Sequence, residues 1–380
     1  MTDNKNNDAQ FEQGTLSNEE EVPSFDYASS YSANLPALLY ELNISLILTS
    51  YQAGQVMLVR SDGLQVDVSF QQYPRPMGLA VDESRIVLGI WSQVLDFRRN
   101  DTVISGCDQA DKIDACYVPR ASHITGMVNI HDIAWGDAGL WIVNSNFSCL
   151  ATLSSDYSFI PQWKPEFITD LAPEDRCHLN GMAMKEGKPK YVTTFDQSNT
   201  PRAWRDQQRL AGTLIDIETN EMLADDLIMP HSPRYYRDKI YFCHSGYGQV
   251  CTLDPVTKTR RTIVTLPGFT RGLAFYGPLM VVGTSESRPS ERASPLPLNE
   301  AVDETLAGIW FIDLEQEEVV GQLIFDGDVS QIYDVAILQN THFPELLHWD
   351  DEKVRDIFTF LPLPADSRAA QQNTEVTHEK

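Results

Sequence analysis

Six short segments share one design: RPMGLAV (75–81), NIHDIAW (129–135), HLNGMAM (178–184), PHSPRYY (230–236), FTRGLAF (269–275) and QIYDVAI (331–337). Each rises from a turn into apolar strand residues, with Gly78, Asp132, Gly181, Pro233, Gly272 or Asp334 at the equivalent place. The spacing varies around roughly 50 residues, the size of one four-stranded propeller blade with loop insertions. Repetition on that scale is the first property of the chain to interpret.

The residues after each start fit such a unit. RIVLGIW (85–91) leads to VLDF (94–97), LWIVN (140–144) to SCLATL (148–153), and KIYFC (239–243) to QVCTL (249–253). β-Branched and aromatic residues dominate these runs, and none has the length or three-to-four spacing of an amphipathic helix. They read as strands separated by small or polar junctions. The start at Gln331 has no strands after it, whereas the run from Ile44 to Arg60 has later strands but no first one. One blade is therefore split between the termini, and pairing its parts closes the ring and removes two open sheet edges. The expected fold is all-β: a six-bladed β-propeller closed by N- and C-terminal strands, with short terminal helices. Seven blades is the alternative count, and a β-sandwich of similar strands the alternative architecture.

The chain has 380 residues, and no internal stretch rich in Gly or Ser divides it. Residues 1–23, polar and ending near Glu19-Glu20-Glu21, read as a disordered acidic tail, because they cannot bury enough apolar surface to offset the entropy of ordering. Residues 35–361 read as the propeller and 365–380 as a flexible tail. Leu35–Leu42 is expected to form one or two helical turns, with Pro36 near the start, and Phe343–Phe360 to form short helices packed on the ring.

Net charge is −25, so a phosphate backbone would be repelled and nucleic acid is not an expected partner. No apolar run reaches the ~18 residues of a membrane span, and residues 1–25 lack the basic start and apolar centre expected of a secretory signal. The expected location is the cytoplasm, with no membrane partner. Cysteines 107, 116, 149, 177, 243 and 251 form no CxxC pair and read as reduced thiols, several of them buried.

In a propeller the innermost strands begin around one mouth of the central channel, so residues distant in sequence meet there. The residue before each aligned Gly, Asp or Pro is Met77, His131, Asn180, Ser232, Arg271 or Tyr333, and Arg75, His178 and His231 lie close by. This set is expected to make a polar mouth, with His131, His178, Asn180, His231, Arg271, Arg75 and Tyr333 as the ligand-binding candidates. Three uses are open. Neutral imidazoles of His131, His178 and His231 could ligate a divalent transition metal such as iron, copper or zinc, with Asn180 as a weaker ligand. Arg75 and Arg271 could clamp a carboxylate or phosphate while a histidine acts as acid or base. Alternatively, these groups satisfy one another around a narrow channel. Two arginines oppose a metal cation unless an anion lies between them.

His123 is a lesser candidate for the mouth, His244 reads as a turn residue, and His342 and His348 as surface residues. The segment around Trp204 reads as a solvated polar loop. Nucleophile elbows, HExxH, Walker loops and GxGxxG are missing.

Two resemblances bear on this set. NGMAM (180–184), after Cys177-His178-Leu179, resembles the blade starts of the gluconolactonase and senescence-marker-protein family, six-bladed propellers whose pre-glycine Asn or Asp residues hold a divalent cation. That likeness implies calcium or zinc and lactone hydrolysis. Only Asn180 fits the pattern, since His131, Arg271 and Tyr333 occupy the other equivalent places. Much more of the chain, from about Leu35 to Leu361, resembles a bacterial family of conserved hypothetical proteins of unassigned activity, some of which carry tetratricopeptide repeats. TSYQAG (49–54), RPMGLA (75–80), LAPEDRCHLNG (171–181), MPHSPR (229–234) and LPGFTRG (266–272) carry that resemblance.

The expected function is a soluble propeller that binds a small polar or anionic ligand, or a protein partner, at a His/Asn/Arg-lined mouth. A metal-dependent hydrolase or oxygenase using histidines of the same mouth is the alternative.

Overall fold

The computed structural model describes residues 24–205, 211–288 and 296–360. Six antiparallel sheets stand in a ring with successive inner strands in contact, the six-bladed propeller expected from the repeat. Blade 2 runs outward through Leu79–Asp82, Arg85–Ile90, Gln93–Arg99 and Ala115–Ile124. Blades 3 to 6 begin with inner strands Ile130–Gly136, Leu179–Lys185, Pro230–Tyr236 and Phe269–Tyr276. Blade 1 is the split one: inner strand Asp334–Gln339 pairs with Ile44–Ser50, and Gln55–Ser61 and Val66–Gln72 complete it. Thr49 stands opposite Asp334 and Ile44 opposite Gln339, so the termini close the ring as the sequence implied.

Two edges gain a fifth strand. Ser29–Tyr31 covers blade 6, and Pro344–Leu346 runs parallel to Ala115–Tyr117 on blade 2. The second addition corrects the expected helices in 343–360. The run around Pro344 meets an open sheet edge first, and only Glu352–Asp356 makes a short helical turn. The N-terminal helix, Leu35–Glu41, forms as expected with Pro36 in its first turn and with Leu35 and Leu39 buried. The two tails, 1–23 and 365–380, lie outside the described residues. No helix among the described residues is long and apolar enough to cross a membrane.

The unbroken apolar runs have a simple cause. A blade has a neighbour on each face, so alternate side chains of one strand enter two different cores. Leu46 and Leu48 pack with Val281 and Phe311 of blade 6, whereas Ile47 between them packs with Ile86 and Leu88 of blade 2. The same alternation fills the remaining gaps, for example Ala183 and Leu214 against Ile240 and Phe242 between blades 4 and 5. All six cysteines are free thiols, and five of them are buried.

The small or polar junctions after second strands are ties between blades. Thr49 Oγ1 donates to Met77 O at 2.6 Å, Ser145 Oγ to Leu179 O at 2.5 Å, Ser245 Oγ to Thr270 O at 2.5 Å and Ser285 Oγ to Ile332 O at 2.9 Å. Each bond reaches the beginning of the next inner strand and fixes where that strand starts relative to its neighbour. Near the axis there is little space. A β-carbon on Gly181 would overlap Pro233 Cδ and stand 3.2 Å from Ser232 N.

Gly181→Ala is therefore expected to lower unfolding stability by about 1–3 kcal/mol, the usual cost of overpacking. Denaturant titration checks this, with Gly106→Ala as the neutral control because no atom lies within 4 Å of a β-carbon there.

Candidate functional site

One mouth of the channel holds a cavity of 360 Å³, and all seven candidate residues line it: Arg75, His131, His178, Asn180, His231, Arg271 and Tyr333. The inner strands deliver them through a local irregularity. In blade 6, Arg271 stands opposite Gly283 and Leu273 opposite Val282, so Gly272 is an extra residue, at φ 66°. Such bulges bend a strand and re-aim its side chains. Blade 5 has the same feature at Ser232, φ 47°. His231, rather than Ser232, thus occupies the place equivalent to Arg271, and the sequence alignment through Pro233 is one residue out of step. Ser232 turns aside and accepts from Gly272 N at 3.0 Å.

Arg75, Asn129, His178 and Met229, each leading into an inner strand, adopt left-handed conformations with φ between 48° and 60°. Non-glycine residues meet a steric penalty there, so the mouth has a strained rim on several blades.

Arginines dominate the charged residues described at the mouth. Arg75, Arg205, Arg271 and Arg288 line it, together with, among the described residues, one carboxylate, Asp175, which already accepts from His178 Nδ1 at 2.9 Å. His131 Nδ1 donates to Asn129 O at 3.0 Å, and His231 Nδ1 to Met229 O at 2.8 Å. Burial drives the pKa of both well below 6.5. The neighbouring His178 adds to this for His131, and Arg271 for His231. Both rings are neutral at physiological pH. Burial also lifts the Tyr333 phenol well above its ordinary range. Arg271 sits 5.8 Å from the Tyr333 ring centroid. Among the described residues its Nε has no hydrogen-bond partner, nor has Nδ2 of Asn180, although the two residues are only 7% and 4% exposed. Buried donors of this kind are rare and costly unless something supplies the acceptor.

The three histidines share the cavity but do not converge. His131 meets His178 edge-on at 4.6 Å, while Phe195 packs against both His178, at 4.7 Å, and His231, at 4.9 Å. Among the described residues, no three His, Cys, Asp or Glu side chains are placed to hold a metal ion. The channel carboxylates Asp132 and Asp334 lie one residue beyond His131 and Tyr333, and both face Arg234. Arg234 Nη1 donates to Asp132 at 2.8 Å, and Nη2 stands 3.7 Å from Asp334. Burial pushes the Asp334 carboxyl up, Arg234 pulls it down, and Asp132 pushes it up again. The 660 Å³ cavity at the opposite mouth includes Asp132 and Arg234, and shares no lining residue with the first.

Two further residues of the mouth carry no signal in the sequence. Trp204 belongs to the cavity rather than to a solvated loop: it stacks on His178 at 3.9 Å and donates from Nε1 to Asp175 O at 3.0 Å. Asp175 itself lies three residues before His178, and an acidic residue in a loop says nothing without its partner. Tyr51, Phe195, Arg205 and Arg288 also line the cavity and fall outside the repeat positions. His123 lies in the outer strand Ala115–Ile124, away from the mouth. His244 has the structural role expected, accepting from Ile228 N at 2.9 Å. His342 and His348 are half-buried rather than on the open surface: His342 stacks on Tyr40, and a ring nitrogen of His348 lies 2.9 Å from Gln72 O.

Residues 33–347 match the model of DUF4915, a domain of unknown function. The chain belongs to that family. No curated protein matches it. Similar solved structures include a chain of a nidogen/laminin complex, with a TM-score of 0.46 and 9% identity over 78% of this chain and 99% of that one. Similarity at this level says nothing about function.

These environments set two expectations. His131 and His231 should show no titration in NMR spectra between about pH 6.5 and 8. Because their folded-state pKa is depressed, stability should fall as pH drops below 6.5, where the unfolded chain takes up protons that the folded chain refuses. Elemental analysis of the purified protein should show no stoichiometric iron, copper or zinc. A metal that disappears in a His131→Ala, His178→Ala double variant would reverse that expectation.

Proposed function

We propose that this protein binds a small organic anion, bearing a carboxylate or phosphate, in the mouth of the propeller. The observation that carries the reading is the pair of buried, unpartnered donors, Arg271 Nε and Asn180 Nδ2, in a cavity bordered by four arginines. A hydrogen bond to a charged group contributes about 1.5–3 kcal/mol, which makes an anionic acceptor the favoured way to satisfy a buried guanidinium. The volume of 360 Å³ falls within the range of small-molecule sites.

Magnitudes also separate the anion from a metal cation. A unit charge ~6 Å from one guanidinium is repelled by about 3 kcal/mol at an effective dielectric of ~20. Several arginines surround this cavity, so the same field that opposes a cation favours an anion. The net charge of −25 turns away extended polyanions, while the local positive field admits a small one. The neutral His131 and His231 line the same cavity, and because Nδ1 of each donates to a main-chain carbonyl, its lone pair lies on Nε2.

Calorimetric titration with a panel of small carboxylates and phosphate esters tests the proposal. At least one should bind, with an affinity that falls as ionic strength rises. Arg271→Gln should weaken that binding roughly 10- to 100-fold. Unchanged affinity in that variant would contradict the assignment.

A further inference from the structure

We infer that the mouth is a metal-free acid–base centre in which His178 takes a proton from the carbon next to the carbonyl group of a small 2-oxo carboxylate. The inference rests on the anion reading above and goes further, by naming the substrate class and the group that acts on it.

Its ground is a difference among the three histidines. His131 and His231 turn their Nδ1 atoms to uncharged groups, Asn129 O for the first and Met229 O with Ser245 Oγ for the second, which give little support to a positively charged ring. His178 is paired with a carboxylate: Nδ1 lies 2.9 Å from Asp175 Oδ1 and 3.1 Å from Oδ2. That contact keeps the hydrogen on Nδ1, leaves the lone pair on Nε2, and stabilises the imidazolium that forms when Nε2 takes a proton. Nε2 has no hydrogen-bond partner among the described residues, and the ring lines the cavity. Trp204 stacks on one face of the ring while its own Nε1 is tied to Asp175 O, so one bond network holds both the imidazole and its carboxylate.

Backbone strain marks the same pair. Asp175 and His178 are non-glycine residues in left-handed conformations, at φ 49° and 48°, and both are more than nine-tenths buried. Residues held in that region at a cleft are characteristic of functional sites, where the surrounding fold offsets the strain.

The substrate class comes from the orphan donors. Arg271 Nε is charged and Asn180 Nδ2 is neutral; both atoms are buried, and both residues line the cavity. A 2-oxo carboxylate presents a charged carboxylate beside a neutral carbonyl oxygen, one acceptor for each donor. In the step itself, Nε2 uses its lone pair to take a proton from C3. The C–H electron pair becomes the C2–C3 double bond of an enolate, and the negative charge moves to the C2 oxygen, held by Asn180 while Arg271 holds the carboxylate. The imidazolium then returns a proton to carbon and both partners are restored, with no other reactant consumed. His178 is the catalytic residue of this scheme and Asp175 a positioning residue that fixes its ring and tautomer. Of the charged groups described around the cavity, Arg75, Arg205, Arg271 and Arg288 are positive and Asp175 is negative.

The test uses the full chain and a panel of pyruvate, 2-oxobutyrate and 2-oxoglutarate in D2O, with C3 deuterium incorporation monitored by proton NMR against buffer. Calorimetry reports binding separately. The expected result is exchange accelerated at least tenfold for an acid that binds. His178→Gln should remove the acceleration while that acid still binds, Asp175→Asn should shift the pH–rate profile, and His123→Gln should leave exchange unchanged. Binding without accelerated exchange overturns the acid–base inference and spares the anion site. Acceleration retained in His178→Gln overturns the assignment of the base. If no panel member binds, both this inference and its substrate class fall. Circular dichroism melting of each variant separates a lost group from a lost fold.

Discussion

Everything in this molecule depends on six inner strands crowding one axis so closely that Gly272 leaves no room for a side chain. A β-carbon there would lie 2.7 Å from the backbone nitrogen of Val335. Each strand is held at that distance by apolar cores on both faces and by the hydroxyl ties that reach from one blade to the next. Closure is what makes the distances obligatory. With the inner strand Asp334–Gln339 anchored on Ile44–Ser50, no blade can retreat without disturbing two neighbours. The functional consequence is that residues 131, 180, 231, 271 and 333, remote in sequence, face one small volume.

The crowded axis also explains why the charges are arranged in layers. Arg234 spans Asp132 and Asp334 just beyond the mouth, and those carboxylates take backbone hydrogen bonds from Met182 and Leu79 of the following blades. This layer consumes the acidic groups that might have made the channel cationophilic. The layer above it holds Arg75 and Arg271 and, among the described residues, leaves Arg271 Nε and Asn180 Nδ2 without a hydrogen-bond partner. In a protein of net charge −25, the described lining of this mouth carries the opposite sign.

The fold is legible in the sequence because its evidence is repeated: six starts, alternating strands and one split blade each say the same thing. The inner ring is legible for the same reason, since five of the residues before the aligned Gly, Asp or Pro line the cavity. The departures have physical causes. Pro233 resembles the other markers, but the bulge places Ser232 at the turn, so His231 takes the inward position. The Asp132–Arg234 pair spans 102 residues and the Trp204–Asp175 contact comes from a loop without periodicity. Neither pairing leaves a trace in a single sequence. The C-terminal strand reads as helix in isolation because its pairing is with a distant edge at Ala115–Tyr117.

The central claim is that Arg271 Nε and Asn180 Nδ2 are held ready for one anion. Nitrogen-resolved NMR of these two side chains during titration with a binding 2-oxo carboxylate tests it most directly. The account predicts that both resonances move together and saturate at the same ligand concentration, while those of exposed arginines such as Arg355 stay in place. Resonances that remain fixed as binding saturates elsewhere would contradict it.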